Sequence, residues 1–289
     1  MKGSNIAASV RARLLSRAKS AGTDFALVLT RYALERLLYR LSISKSRDNF
    51  LLKGALLFDL WFDVPLRPTR DIDLLGFGVA ETTEVHAAFE ELCYLQVNDG
   101  VTFDAKSIQI SEIRKEANYA GLRITLQGQI DGALCPVQVD VGYGDAVTPA
   151  PELADYPVFF EEFGQPRLRV YPRYTVVAEK LEAIISLGMA NTRLKDYFDL
   201  WVILNKTDIE MLVLQQAVGA TLHRRGTGVP QALPMGLSAA FAQDAGKTNQ
   251  WRAFKLKNKL DAPDLADVLQ DLRARLQFLW MQSLPVDGK

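Results

Sequence analysis

Two aspartates stand two residues apart in the run Arg67-Pro68-Thr69-Arg70-Asp71-Ile72-Asp73-Leu74-Leu75. On a strand successive side chains alternate, so Asp71 and Asp73 face one side about 7 Å apart along the backbone, while Ile72 and Leu74 face the other. Such a pair can bridge magnesium ions, which prefer carboxylate and phosphate oxygens and keep water in their remaining positions. Asp-x-Asp is common by chance, and an exposed strand end is the plain alternative. A second strand-like run, Val137-Gln138-Val139-Asp140-Val141-Gly142-Tyr143-Gly144-Asp145, puts three valines on one face and Gln138 and Asp140 on the other. A carboxylate in so apolar a run needs a cation or several hydrogen bonds. A metal shared with Asp71 and Asp73 would supply one. Asp145, beyond Gly142 and Gly144, reads as a turn residue.

Three further groups have the chemistry of phosphate binding or its support. Lys53-Gly54-Ala55 closes a short strand and opens a helix, which leaves free backbone N–H groups and a positive dipole end at the turn. A glycine at a strand end is also simply a turn residue. Lys180 lies in Val176-Val177-Ala178-Glu179-Lys180-Leu181-Glu182-Ala183-Ile184. At about 100° per residue it borders the Val177, Leu181, Ile184 stripe, away from Glu179 and Glu182. The alternative is a lysine snorkelling from the edge of that stripe. In Arg193-Leu194-Lys195-Asp196-Tyr197-Phe198-Asp199-Leu200-Trp201 the helix after Asp199 is apolar nearly all round, so that carboxylate needs a nearby cation. Lys180 is one candidate, and Lys195 at i, i+4 in the weaker orientation is the other.

The elements that must carry these groups follow from periodicity. Residues 6–20 and 24–42 read as a helix pair, 50–53 as a strand, and 55–62 as a helix. Pro65 and Pro68 force an extended link into a strand over 71–75. A helix over 81–95 precedes strands near 101–110, 119–130 and 133–143. Residues 149–172 combine several prolines with little periodicity and read as a connection between domains. Helices return near 174–190, 195–205, 207–222 and 262–283.

Composition bounds the setting. The chain has 289 residues, 48% of them apolar and 24% charged, as in an ordinary globular protein. The first thirty residues scatter Arg11, Arg13, Arg17 and Lys19 through an amphipathic pattern, which argues against a signal peptide. No stretch approaches the roughly 18 consecutive apolar residues of a membrane span. Two distant cysteines, Cys93 and Cys135, suit a reducing cytoplasm better than a disulfide scaffold. The net charge is zero, yet residues 1–53 carry 11 basic and 3 acidic side chains, and 221–259 carry 7 basic against Asp244 alone. Basic flanks around an acidic centre suit cations held at a site and a polyanion around it. Solvated helix faces are the alternative.

These segments together resemble the AbiEii/AbiGii nucleotidyltransferase toxin family, a minimal polymerase-β-like group of bacterial toxin–antitoxin and phage-defence systems. The matching pieces are Lys53-Gly54-Ala55-Leu56-Leu57, Arg67-x-Thr69-x-Asp71-x-Asp73-Leu74, Asp140-Val141-Gly142-Tyr143-Gly144-Asp145, Glu179-Lys180-Leu181 and Lys195-Asp196-x-x-Asp199-Leu200, over about residues 50–205. The resemblance implies an α+β fold: a polymerase-β-like core of a small mixed sheet with flanking helices, preceded by a helix pair and followed by a helical C-terminal domain. The expected divisions are 1–48, 49–148, the connection 149–172, and 173–289 with Lys180 and Asp199. It implies two magnesium ions on Asp71, Asp73 and Asp140, with Lys180 and Asp199 also required for activity. Nucleotide contacts fall on Lys53, Gly54, Ala55, Thr69, Arg70, Lys180, Lys195 and Asp196. One departure stands out: no hydroxyl follows Gly54, which shifts phosphate contact there to backbone N–H groups, Thr69 or Arg70.

The implied activity is transfer of a nucleoside monophosphate from an NTP to RNA, at the 3′ end of tRNA, blocking translation in the cytoplasm. A cognate antitoxin, winged-helix in type, is the implied protein partner. Two other readings share some of these residues: a nucleotidyltransferase that modifies a protein or small molecule, and a noncatalytic partner-binding domain.

Overall fold

The computed structural model describes residues 5–62, 68–78, 80–115 and 119–281. Arg67 of the acidic-strand motif and Pro65 of the link before it lie outside the described residues. The chain packs as two compact units, one of residues 1–144 with 152–171 and the other of 145–151 with 172–289.

The first unit opens on α1 (Ile6–Ser20) and α2 (Phe25–Ile43), as their spacing predicts. Asn5 and Asp24 cap the two helices by accepting from the Ala8 and Ala26 backbone N–H groups. Helix α1 buries Val10, Leu14 and Ala18, one residue per turn along a single stripe. Strand β1 (Phe50–Lys53) leads through a 3₁₀ turn over Gly54–Leu57 into the one-turn helix α3 (Phe58–Trp61). Strand β2 (Asp71–Gly76), helix α4 (Thr82–Tyr94) and the long antiparallel strands β3 (Thr102–Lys115), β4 (Tyr119–Ile130) and β5 (Ala133–Tyr143) follow. The β4–β5 hairpin turns at Asp131-Gly132, both with positive φ, the backbone that matches strand twist in a two-residue loop.

Residues 149–172, expected as a connection, instead contribute β6 (Glu152–Asp155) and β7 (Arg167–Val170) to the same sheet. These strands are four residues long and set among prolines, too short to show a period. Among the described residues the sheet has seven strands in the order β3-β4-β5-β2-β1-β7-β6. It is mixed, with β2 parallel to β5 and β1 parallel to β7. Helix α2 covers β4, β5 and β7, and α4 packs on β3. Leu51, Ile72, Val139 and Val141 are fully buried in the sheet core.

The basic N-terminal block is partly internal. Arg36 Nε and Arg40 Nη1 each donate to Asp99 Oδ2 at 2.8 Å, and Arg40 Nη2 reaches the Val101 carbonyl at 2.9 Å. The remaining Arg36 nitrogens donate to the carbonyls of Phe163 and Gly164 at 2.7 and 2.9 Å. All three charged side chains are buried, so these two arginines tie α2 to neighbouring loops and are withdrawn from any polyanion.

The second unit is helical: α5 (Arg173–Leu187), α6 (Leu194–Lys206), α7 (Met211–Arg225), α8 (Ala239–Gln243), α9 (Ala245–Asn258), α10 (Leu265–Leu276) and α11 (Phe278–Met281). Helix α5 packs on α6 and α7, and α6 on α9 and α10. Sequence periodicity misses α8 and α9. Helix α9 buries only Lys247 and Trp251, so its apolar stripe is too sparse to register. Among the described residues no helix is long and apolar enough to cross a membrane.

Candidate active site

In the first unit the charged groups form a row set by strand register. Arg123 on β4 pairs with Asp140 on β5, Asp140 with Asp73 on β2, and Asp73 with Lys53 on β1. Residues paired in register share a sheet face, and neighbouring strands are about 4.8 Å apart. Two carboxylates thus lie side by side between two cations, with Asp71 one step along the same face opposite Gln138. Ile72 and Leu74 are buried on the other face, which locks β2 so that its acids cannot turn inward.

Asp140 is 9% exposed, and its cation is Arg123. The guanidinium binds it in bidentate fashion, Nε to Oδ1 and Nη2 to Oδ2, both at 2.8 Å. Gln138 adds a bond to Oδ1 at 3.3 Å. The hydrogen bond to Asp140 raises Arg123 above its ordinary pKa against the opposing effect of burial, and the charges of Asp140, Asp71 and Asp73 add to the rise. Among the described residues no three His, Cys, Asp or Glu side chains stand as a ready metal cage. A donor set of one or two carboxylates completed by substrate phosphate is nevertheless the usual way magnesium is held, and Asp71 with Asp73 fits it.

Gly54 has a structural duty at this row. Its φ is +75°, and a Cβ there would fall 2.1 Å from Asp73 Oδ2. The helix expected over 55–62 is instead a 3₁₀ turn followed by one α-turn, which weakens the dipole at this point. Gly54→Ala is expected to cost about 1–3 kcal/mol in backbone strain and to displace Asp73, with activity falling further than stability. Urea unfolding and turnover on the same preparation check this; full turnover would separate Gly54 from the acidic pair.

Lys53 is 6% exposed, and its Nζ lies 5.3 Å from the Tyr171 ring centroid, within cation–π range. Thr69 is buried just ahead of β2, whereas Arg70 is exposed and reaches Asp24 only at 4.0 Å, a weak surface pair. Ala55 is half-buried on the turn after Gly54.

In the second unit Lys180 on α5 donates to Asp199 Oδ2 at 2.7 Å and to Asp196 Oδ1 at 2.9 Å. Of the two cations considered for Asp199, Lys180 is thus joined to it directly. Asp196, expected at the nucleotide, is fully buried, and its second oxygen accepts from Arg193 Nε at 2.6 Å. Both of its oxygens are thus engaged, one by Lys180 and one by Arg193. Burial alone would raise its carboxyl, but Lys180 and then Arg193 outweigh that and hold it at about 2. Lys195 is exposed in the first turn of α6.

A carboxyl held below its usual value favours the folded state once ionised. The Asp196 contribution is therefore complete above about pH 4 and drains away as pH falls towards 2. Asp196→Asn is expected to flatten the fall in unfolding free energy over that window, as read by denaturant titrations at stepped pH. An unchanged slope would remove Asp196 from the acid response.

Sequence reasoning missed Arg225, at the end of α7. It donates to Asp145 Oδ1 at 2.9 Å and to Glu182 Oε2 at 2.8 Å, and lies 3.6 Å from Glu179. Burial lowers its pKa, but Glu179, Asp145 and Glu182 raise it more, so it stays charged. An arginine in the last turn before a glycine reads locally as a helix end, so only the tertiary contacts mark it. Asp145, read as a turn residue, is a fixed partner of this clamp.

Carboxylates on adjacent strands of a mixed sheet are a means of working on phosphates, and the class into which the chain falls is that of nucleotidyltransferases. Residues 36–277 match the family described as nucleotidyl transferase AbiEii toxin, type IV toxin–antitoxin system. The chain belongs to that family, whose members act beside an antitoxin. The comparison with curated proteins yields no match. Among solved structures, the chain is similar to JHP933 from Helicobacter pylori, at 15% identity and TM-score 0.47, over 89% of this chain and 93% of that one. It is also similar to an antigenic nucleotidyltransferase-like protein from Paracoccidioides brasiliensis, at 14% identity and TM-score 0.37, over 83% and 94%.

Proposed function

We propose that the chain transfers a nucleoside monophosphate from an NTP to the 3′ end of tRNA and thereby blocks translation. The observation that carries this reading is the strand row in which Asp73, with Asp71 beside it, adjoins Asp140. Magnesium, when bound there, supplies Lewis-acid activation of the acceptor hydroxyl and neutralises charge as pyrophosphate leaves. Asp71 and Asp73 are the residues that would hold it, from a strand fixed by its buried face. Gly54 gives Asp73 the room to stand there. Lys180 is the cation for the triphosphate, oriented by Asp199 and Asp196 before any substrate arrives, so that little reorganisation is needed during reaction.

An RNA acceptor is supported by the surface of α9. A cavity of about 460 Å³ is lined there by Arg252, Lys255, Leu256, Lys259 and Leu260. Arg252 and Lys259 beside the exposed Leu256 suit a phosphate backbone and its bases, while Lys255 is held by the Ala262 carbonyl at 2.9 Å and Asp264 at 3.2 Å. Production of the wild-type protein without its antitoxin is expected to arrest growth and to leave tRNA that cannot be aminoacylated. A winged-helix antitoxin is expected to relieve the arrest. Neutralising Lys255, Lys257 and Lys259 together should weaken the arrest partway and lower the salt dependence of RNA binding. Arrest with fully chargeable tRNA would move the acceptor elsewhere.

A further inference from the structure

Asp140 has the position of a third metal ligand and the bonding of a completed ion pair. Both its oxygens are taken by one guanidinium at 2.8 Å. The contact is not an accident of a surface rotamer: Arg123 and Asp140 are register partners, so the sheet itself delivers the guanidinium to the carboxylate. A divalent ion entering beside Asp140 would meet a fixed positive charge within a few ångströms, and like charges so placed disfavour one another. The two partners differ in exposure. The Asp140 side chain is 11% exposed, whereas Arg123 is 42% exposed, so the guanidinium has a solvent side on which to turn away. A planar fork that grips a carboxylate in two places grips a phosphate equally well.

We propose that Arg123 is a resident cation for Asp140 that competes with the divalent ion, so that the third carboxylate enters metal binding only when the nucleotide's phosphates draw Arg123 away. The inference rests on the reading of Asp71 and Asp73 as metal ligands. It makes the empty enzyme a weak binder of divalent ions, and it makes nucleotide and metal bind cooperatively. Arg123 is then a positioning residue in the nucleotide-free state and a phosphate ligand in the loaded one.

Manganese binding, followed by the loss of the free-ion electron paramagnetic resonance signal beyond that of a matched protein-free mixture, tests this without reference to turnover. The full chain is titrated as wild type, Arg123→Met, Arg123→Lys, Asp73→Asn, and Arg123→Met with Asp140→Asn, each with and without a non-hydrolysable nucleoside triphosphate. Without nucleotide, Arg123→Met is expected to bind manganese at least tenfold more tightly than wild type, and Asp140→Asn is expected to cancel that gain. With the nucleotide analogue, wild type should close most of the gap. Should Arg123→Met fail to fold by circular dichroism, Arg123→Lys, which keeps the charge but only one contact, should show a gain of about threefold. Manganese binding that needs Asp73 yet is equal in wild type and the Arg123 variants overturns the competition and leaves the metal reading standing. No manganese binding by any variant, loaded or empty, overturns both.

Discussion

Asp73→Asn is expected to lower nucleotidyl transfer by on the order of 10³ or more while the protein remains folded. The substitution keeps volume and shape but removes a charge from the row in which Asp73 adjoins Asp140. A ligand to a hard cation cannot be an amide nitrogen, and an amide oxygen without charge holds magnesium poorly. The fold should tolerate the change because Asp73 sits on the half-buried face of β2 between Ile72 and Leu74, whose burial anchors the strand. Removing one of two adjacent carboxylates also relieves repulsion, so unfolding free energy should hold or rise slightly. Circular dichroism and urea unfolding, set beside turnover, separate the two effects. Transfer at the wild-type rate by a folded Asp73→Asn protein would reject Asp73 as a metal ligand.

Lys180→Ala is expected to lose activity by on the order of 10² or more if Lys180 is, as proposed, the preorganised cation for the triphosphate. It is also expected to destabilise the protein by about 3 kcal/mol, because Asp196 and Asp199 are both buried and lose the cation they share. The two losses can be told apart. Lys180→Met combined with Asp199→Leu removes charge and countercharge together and should recover much of the stability, as apolar replacement of a buried pair commonly does. It should recover none of the activity. Lys180→Arg should rescue poorly, since a planar fork does not replace a compact ammonium group held between two carboxylates. Equal turnover with Lys, Arg and Ala at this position would leave Lys180 a purely structural residue.

What the sequence made legible depended on how local the signal was. The alternation in Asp71-Ile72-Asp73-Leu74 places both acids on one face from four residues alone, and β2 has that burial pattern. The need of Asp199 for a cation was legible because the rest of α6 is apolar, and Lys180 stands 2.7 Å away. Asp140 shows the limit of the same argument. Its run demanded a cation, but whether metal or side chain could not be read, because Arg123 meets it through a strand register that no local pattern encodes. Arg225 and Asp145 meet across 80 residues for the same reason. Charge counts misled in one respect: Arg36 and Arg40 add to the basic N-terminal block yet are spent on Asp99 inside the first unit. At Gly54 the sequence leaves a phosphate-binding turn and a plain turn residue both open, and the nearness of Asp73 emerges only in three dimensions.

The central claim is that the protein joins a nucleotide to RNA. The most direct measurement incubates the full chain with total tRNA, magnesium and each α-labelled nucleoside triphosphate in turn, and then locates the label. The account predicts label at the RNA 3′ end from one or a few nucleotides, none without magnesium, and none with the Asp73→Asn protein. Label found in protein or in a small molecule while RNA stays unlabelled, or RNA labelled equally by wild type and Asp73→Asn, would contradict it.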